Sequence, residues 1–253
     1  MFLISADFFS RHLSLLSFPF LKTYSLCGLK PLIREIKADF SLYLITDGRQ
    51  MKAPFYEGIE DALKGGLQAL QLREKDLSVR QLYATACRLR ELTSRYGARL
   101  FVNDRLDVAL SVEADGVHLA GTSIPPRAVQ RVTGGKMLIG VSAHTLEEAI
   151  EAEREGADFL TFGPVYKTPS KKKYGPPVGI EKLKEVAEKV SIPVFGVGGI
   201  KIEKVSEVLK SGAQGVALIS AILSSDNIEE ETSKFITSVE GVLRKDSSSC
   251  SLP

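Results

Sequence analysis

From residue 41 onward the chain alternates short apolar runs with longer amphipathic ones. The apolar runs are "LYLIT" (42–46), "LQALQL" (67–72), "RLFVN" (99–103), "GVHL" (116–119), "LIGVS" (138–142), "DFLTFG" (158–163), "PVFGV" (193–197) and "GVALIS" (215–220). Runs of this length, bounded by turn residues, predict buried strands. Between them, "SVRQLYATACRLRELTSRYG" (78–97) opens on a serine and stops at a glycine, as a capped helix does. "TLEEAIEAEREGA" (145–157) opens on Thr145, carries Glu147 and Glu148 in its first turn, and stops at Gly156. "GIEKLKEVAEKV" (179–190) and "KIEKVSEVLKSGA" (201–213) have helical amphipathicity. Alternation of this kind predicts a parallel sheet, and eight repeats predict a closed (β/α)8 TIM barrel in a single α/β domain. An open doubly wound sheet would usually carry G-x-G-x-x-G after its first strand, where this chain has "ITDGRQ". "EGADF" and "SGAQG" read as tight returns to the barrel bottom.

The length of 253 residues suits one such barrel. Residues 39–243 are assigned to it, residues 1–38 to an N-terminal extension, disordered or helical, and residues 244–253 to a disordered tail. The extension contains "LSLLSFPFL" (13–21), too short to cross a bilayer. Asp7 and the lack of a basic start argue against an export leader. Cys27, Cys87 and Cys250 are scattered without metal-ligand or redox spacing, so a reduced, cytoplasmic protein is expected. A net charge of +2 argues against broad nucleic-acid binding, and any anion site must be local. The expected partners are therefore phosphorylated small molecules, without nucleic acid or membrane; homo-oligomerisation is left open.

Barrel chemistry sits at the C-terminal ends of the strands. In "ALQLREKD" (69–76) an extended strand would put Gln71, Arg73 and Lys75 on one face, opposite Leu70 and Leu72. An amide, a guanidinium and an ammonium aimed together suggest an anion clamp. In "VND" (102–104), Asn103 and Asp104 either cap the next helix or offer Asp104 to a phosphate-bound Mg2+. Gly198 and Gly199 in "GVGGI", and Ser220 after the last strand, suit a phosphate held by backbone N–H groups. The loop "YKTPSKKKYGPP" (166–177) is long enough to be a lid, with Lys171 placed on a phosphate. His144, two residues after Ser142, is either structural or a proton shuttle, and His118 is read as structural.

Read together, "QLREK", "VND", "ADGVHL", "GVSAHT", "GADFLTFGPVY", "TPSK", "GVGGI" and "GVALISAI" resemble, in order, the thiamine-phosphate synthase family and its relatives, the thiazole tautomerases. The resemblance covers about residues 40 to 240. It implies a synthase that joins a hydroxymethylpyrimidine diphosphate to a thiazole phosphate and releases pyrophosphate. By resemblance, Gln71, Arg73, Lys75, Asn103 and Lys171 bind the pyrimidine diphosphate, and Ser142 contacts the pyrimidine side or the leaving group. Thr168, Ser170, Gly199, Ile219 and Ser220 hold the thiazole phosphate, and Asp104 is a Mg2+ ligand. Ser123, in "AGTS", stands where the family usually offers a second carboxylate. That substitution favours the tautomerase alternative, in which His144 moves protons. A non-catalytic sensor of phosphorylated ligands is the third reading.

Overall fold

The computed structural model describes residues 38–168 and 176–249, with residues 245–249 by their backbone alone. Eight parallel strands close into a barrel in chain order: β1 (Leu42–Ile45), β2 (Ala69–Leu72), β3 (Arg99–Asn103), β4 (Gly116–Leu119), β5 (Leu138–Ala143), β6 (Phe159–Phe162), β7 (Val194–Val197) and β8 (Gly215–Leu218). Pairing of Tyr43 with Ala217 closes β1 on β8. Among the described residues the helices are α1 (Phe55–Lys64), α2 (Val79–Tyr96), α3 (Leu106–Ser111), α4 (Pro126–Thr133), α5 (Leu146–Arg154), α6 (Gly179–Lys189), α7 (Val205–Lys210), α8 (Ser220–Leu223) and α9 (Ile228–Ser249).

The caps set the helix limits. Ser78 accepts from the Gln81 amide while the Gln81 side chain accepts from Ser78, a complete capping box, and Gly97 ends α2 in the left-handed region with φ 68°. Thr145 caps α5 through the Glu148 amide. The amphipathic stretch 201–213 is not one helix: a 3-10 turn, Ile202–Lys204, precedes α7. The C-terminal expectation also changes, because α9 continues to Ser249 where disorder is expected from 244. Arg244 pairs with Glu240 one turn earlier at 2.9 Å, and "LRKDSSS" contains neither Gly nor Pro to stop the helix. Residues 250–253 and nearly all of the N-terminal extension lie outside the described residues.

Two apolar layers result. The outward faces of the strands pack with the helices, from Leu44, Leu70 and Leu100 to Ile59, Leu89 and Val208. The barrel interior is a separate aromatic cluster of Phe40, Tyr43, Phe101, Phe159 and Phe195, with ring centroids 5.0–6.3 Å apart. Glycines on neighbouring strands make room for these rings. A Cβ on Gly116 would come within 2.3 Å of Phe101, and one on Gly140 within 2.4 Å of Phe159. The aromatic layer fills the barrel from below, and the inward polar groups Gln71, His118 and Ser142 lie above it, towards the C-terminal mouth.

Candidate active site

The mouth is built from the inward residues above the aromatic layer. Gln71, the third residue of β2, is 1% exposed, and its Nε2 has no hydrogen-bond partner among the described residues. A buried unpaired amide costs free energy unless something else supplies an acceptor. Arg73 is half-buried one step higher and has no ion-pair partner among the described residues. The guanidinium is close enough to His118 to lower its pKa, which puts it with the Gln71 amide at the mouth.

Lys75 does not join them by strand alternation. β2 ends at Leu72, and Lys75 stands on an exposed turn. The cause is local: the Arg73 amide donates to Thr46 Oγ1 at 2.9 Å, and the Glu74 carboxylate accepts from the Gly48 amide at 3.0 and 3.1 Å. These bonds tie the chain after β2 to the loop after β1 and take it out of the extended register.

Asn103 ends β3 and Asp104 follows it. Asp104 has φ 59°, the left-handed region that Asp tolerates better than most residues. Its amide donates to the His118 carbonyl at 2.9 Å. Its carboxylate accepts from Asn103 Nδ2 at 2.8 Å, from the Ala120 amide at 3.3 Å and from the Ser123 hydroxyl. Neither residue caps α3, whose N-terminal flank is Arg105 with no side-chain cap bond. Among the described residues no three His, Cys, Asp or Glu side chains gather to hold a metal. One carboxylate and one adjoining hydroxyl are nonetheless hard oxygen donors of the kind Mg2+ accepts when phosphate oxygens and water complete its shell. The donor set fits the ion in that limited sense.

His118, read from the sequence as structural, is at the centre of a polar unit that spacing alone does not reveal. Its Nε2 lies 3.0 Å from Ser142 Oγ and 3.3 Å from Thr161 Oγ1, and its Nδ1 lies 3.3 Å from the Tyr43 hydroxyl. Burial among aromatic rings pushes its pKa down to about 3; Asp104 raises it and Arg73 lowers it. The imidazole is therefore neutral at physiological pH. The available sequence signal was the parity of β4 and β5: His118 pairs with Gly140, two residues before Ser142, and all three face inward. His144 stands apart from this unit. Its Nδ1 donates to the Gly163 carbonyl, and its amide donates to Glu148 at 2.6 Å.

The opposite side of the mouth is backbone. Gly198 and Gly199 adopt φ 94° and 67°, and a Cβ on Gly199 would come within 2.7 Å of the Lys167 carbonyl oxygen. Only glycine allows this turn to lie against the loop after β6, which the Tyr166 amide joins to the Gly198 carbonyl at 3.0 Å. Thr168 follows on that loop, half-buried. Ser220 begins α8 directly after β8, with Ile219 as its N-terminal flank, whose carbonyl accepts from the Ile222 and Leu223 amides at 3.2 and 3.0 Å. Ser170 and Lys171 lie outside the described residues.

A barrel mouth with a cationic and amide wall facing a glycine-rich backbone wall has the architecture of an enzyme site on a barrel scaffold. The family described as "Thiamine monophosphate synthase" matches residues 42–222. The "Putative thiamine-phosphate synthase" of Geobacter sulfurreducens is 50% identical over 199 residues, covering 77% of this chain and 92% of that protein. The "Thiamine-phosphate synthase" of Clostridium acetobutylicum is 42% identical over 194 residues, covering 76% and 92%. The solved thiamine phosphate pyrophosphorylase of Pyrococcus furiosus superposes with a TM-score of 0.73 at 41% identity, covering 80% of this chain and 96% of that one. The chain belongs to the thiamine monophosphate synthase family.

Proposed function

We propose that the chain is a thiamine-phosphate synthase, a transferase of thiamine biosynthesis. It would join 4-amino-2-methyl-5-(diphosphooxymethyl)pyrimidine to a thiazole phosphate, giving thiamine phosphate and pyrophosphate. The observation that carries this reading is the buried Gln71 Nε2 and the nearby Arg73 guanidinium, the first without a hydrogen-bond partner and the second without an ion-pair partner among the described residues. A polar heterocycle bearing a diphosphate answers both: an acceptor on the ligand takes the Gln71 N–H, and the diphosphate takes the guanidinium.

In the reaction the pyrimidine CH2–O bond breaks, the electron pair leaves with pyrophosphate, and the thiazole nitrogen lone pair forms the new C–N bond. Negative charge develops on the leaving group, so Arg73, Lys75 and Lys171 are assigned to stabilise it, with Gln71, Asn103 and Ser142 orienting the pyrimidine diphosphate. Thr168, Ser170 and the backbone at Gly199, Ile219 and Ser220 are assigned to the thiazole phosphate. Mg2+, when held at Asp104 with Ser123 beside it, would supply further charge neutralisation. No strong general base is needed. Among the described residues no helix is long and apolar enough to cross a membrane.

A thiazole tautomerase is the second reading. The geometry favouring it is the His144 Nδ1–H bond to the Gly163 carbonyl, which fixes the orientation of the ring at the end of β5. Incubating the purified chain with both synthase substrates over a range of Mg2+ concentrations separates the two. Thiamine phosphate formation is expected. Its absence at every Mg2+ concentration, together with His144-dependent isomerisation of the thiazole carboxylate phosphate, would reverse the assignment.

A further inference from the structure

Four side chains from four strands form one hydrogen-bonded unit at the floor of the mouth. The Tyr43 hydroxyl of β1 lies 3.3 Å from His118 Nδ1 of β4. His118 Nε2 lies 3.0 Å from Ser142 Oγ of β5 and 3.3 Å from Thr161 Oγ1 of β6, and the two hydroxyl oxygens are 3.2 Å apart. Tyr43, His118 and Thr161 are buried, while Ser142 is partly open to the mouth. We infer that this unit fixes the direction of the Ser142 proton: Tyr43, His118 and Thr161 are positioning residues that make Ser142 an obligate hydrogen-bond donor to an acceptor atom of the ligand. The nature of that ligand rests on the synthase reading; the proton order within the unit does not.

Counting donors and acceptors gives the order. An imidazole that accepts a hydrogen bond at one ring nitrogen carries its single N–H on the other. The Tyr43 phenol is fully buried, and His118 Nδ1 is its hydrogen-bond partner in the structure. If Nδ1 held the proton, the phenol proton would be buried without an acceptor. Tyr43 therefore donates to Nδ1, and the imidazole proton resides on Nε2. That N–H is directed at Ser142 Oγ, with Thr161 Oγ1 slightly farther away. Because Nε2 cannot accept, the Thr161 hydroxyl has Ser142 Oγ as its acceptor. Ser142 Oγ then receives two donated protons, so its own can point back at neither neighbour and turns into the mouth. A ring nitrogen lone pair or a phosphate oxygen satisfies it, and a ligand donor at that place is rejected. Gly140 is part of the arrangement, since a Cβ there would come within 2.6 Å of His118 Nδ1 and displace the ring.

Tyr43→Phe tests the inference because it keeps the ring and removes the first donor. In protein carrying 15N-labelled histidine, His118 should show an unprotonated Nδ1 and a protonated Nε2, and Tyr43→Phe should abolish that single-tautomer pattern. Binding is then measured by calorimetry in Mg2+, with inorganic pyrophosphate and with the aminopyrimidine alcohol as separate probes. Ser142→Ala should weaken one of them about 10-fold, Tyr43→Phe about 3-fold or more, and Tyr43→Phe should add nothing in the Ser142→Ala background. A loss confined to pyrophosphate places a phosphate oxygen on Ser142, and one confined to the alcohol places a ring nitrogen there. A proton on Nδ1, additive losses in the double variant, or unchanged affinity for both probes would overturn the inference. Failure of the wild-type chain to form thiamine phosphate would instead defeat the synthase reading and leave the tautomer result standing.

Discussion

Asp104 and Ser123 share a contact in which the serine hydroxyl donates to the carboxylate, at the mouth and largely in solvent. Replacing that donor by a second carboxylate would place two negative charges together, which is unfavourable unless a cation sits between them. Ser123→Asp is therefore expected to lower the melting temperature in EDTA and to recover it in Mg2+, while the parent chain responds little. In the synthase assay the same variant should reach half-maximal rate at lower Mg2+. A thermal shift series and a Mg2+ titration of turnover check the two parts. Lys171→Ala should reduce kcat/KM about 100-fold, roughly 3 kcal/mol of transition-state stabilisation, if Lys171 meets the departing diphosphate. His118 yields a pH prediction. Its folded pKa of about 3 lies below the unfolded value of 6.5, so between them the unfolded chain binds the extra proton. Stability therefore falls as pH drops below about 6.5, by up to about 1.4 kcal/mol per unit from this group. Urea unfolding near pH 7 and near pH 5 should show that His118→Asn removes this share of the slope.

At the scale of elements, strand existence and order were legible because each strand is a short apolar run, and Ser78 and Thr145 mark the starts of two of the intervening helices by their caps. The ends were less so. The run 67–72 ends where β2 ends, but the extended alternation carried on to Lys75 does not hold, since nothing in "REKD" announces that Thr46 and Glu74 will tie it to the neighbouring loop. The polar residues at strand ends were found because the barrel rule says where to look. The hydrogen-bonded unit around His118 was not found, because its members lie on four strands and spacing along one segment does not report contacts across a barrel. Glycine placement is the element-level feature most open to test. Gly116→Ala should destabilise by about 1–3 kcal/mol, because its Cβ would press on the Phe101 ring and, at 2.6 Å, on the Leu138 carbonyl oxygen. Gly241→Ala, inside α9 with open space around the new methyl, should stabilise by about 0.5–1 kcal/mol. Paired urea denaturation curves decide both, and opposite signs are expected from the same chemical change.

For the whole molecule, the question is where the independently folding unit begins. Phe40 precedes β1 and so belongs to no strand, yet it is 2% exposed and touches four rings of the interior: Tyr43, Phe101, Phe159 and Phe195. Ala38 is buried in the same cluster. Arg99, at the start of β3, makes a two-pronged bond to Asp39 at 2.7 and 2.8 Å, holding this segment across the barrel floor. These residues close the bottom of the aromatic layer on which the polar mouth rests. A chain shortened to begin at residue 37 keeps all of them and is expected to remain folded and to keep its turnover. A chain shortened to begin at residue 42 loses the Phe40 plug and the Asp39 contact, and it should lose roughly 3–5 kcal/mol, the range for removing a buried phenylalanine. Phe40→Ala in the full-length chain separates loss of the plug from loss of the segment: if the ring is what matters, it should reproduce most of that destabilisation. Urea unfolding of the three chains, with synthase rates measured on each, tests the argument. Aggregation or inactivity of the chain that begins at residue 37 would show that the fold draws on residues before Ala38, and the floor of the barrel would then have to be sought in that earlier segment.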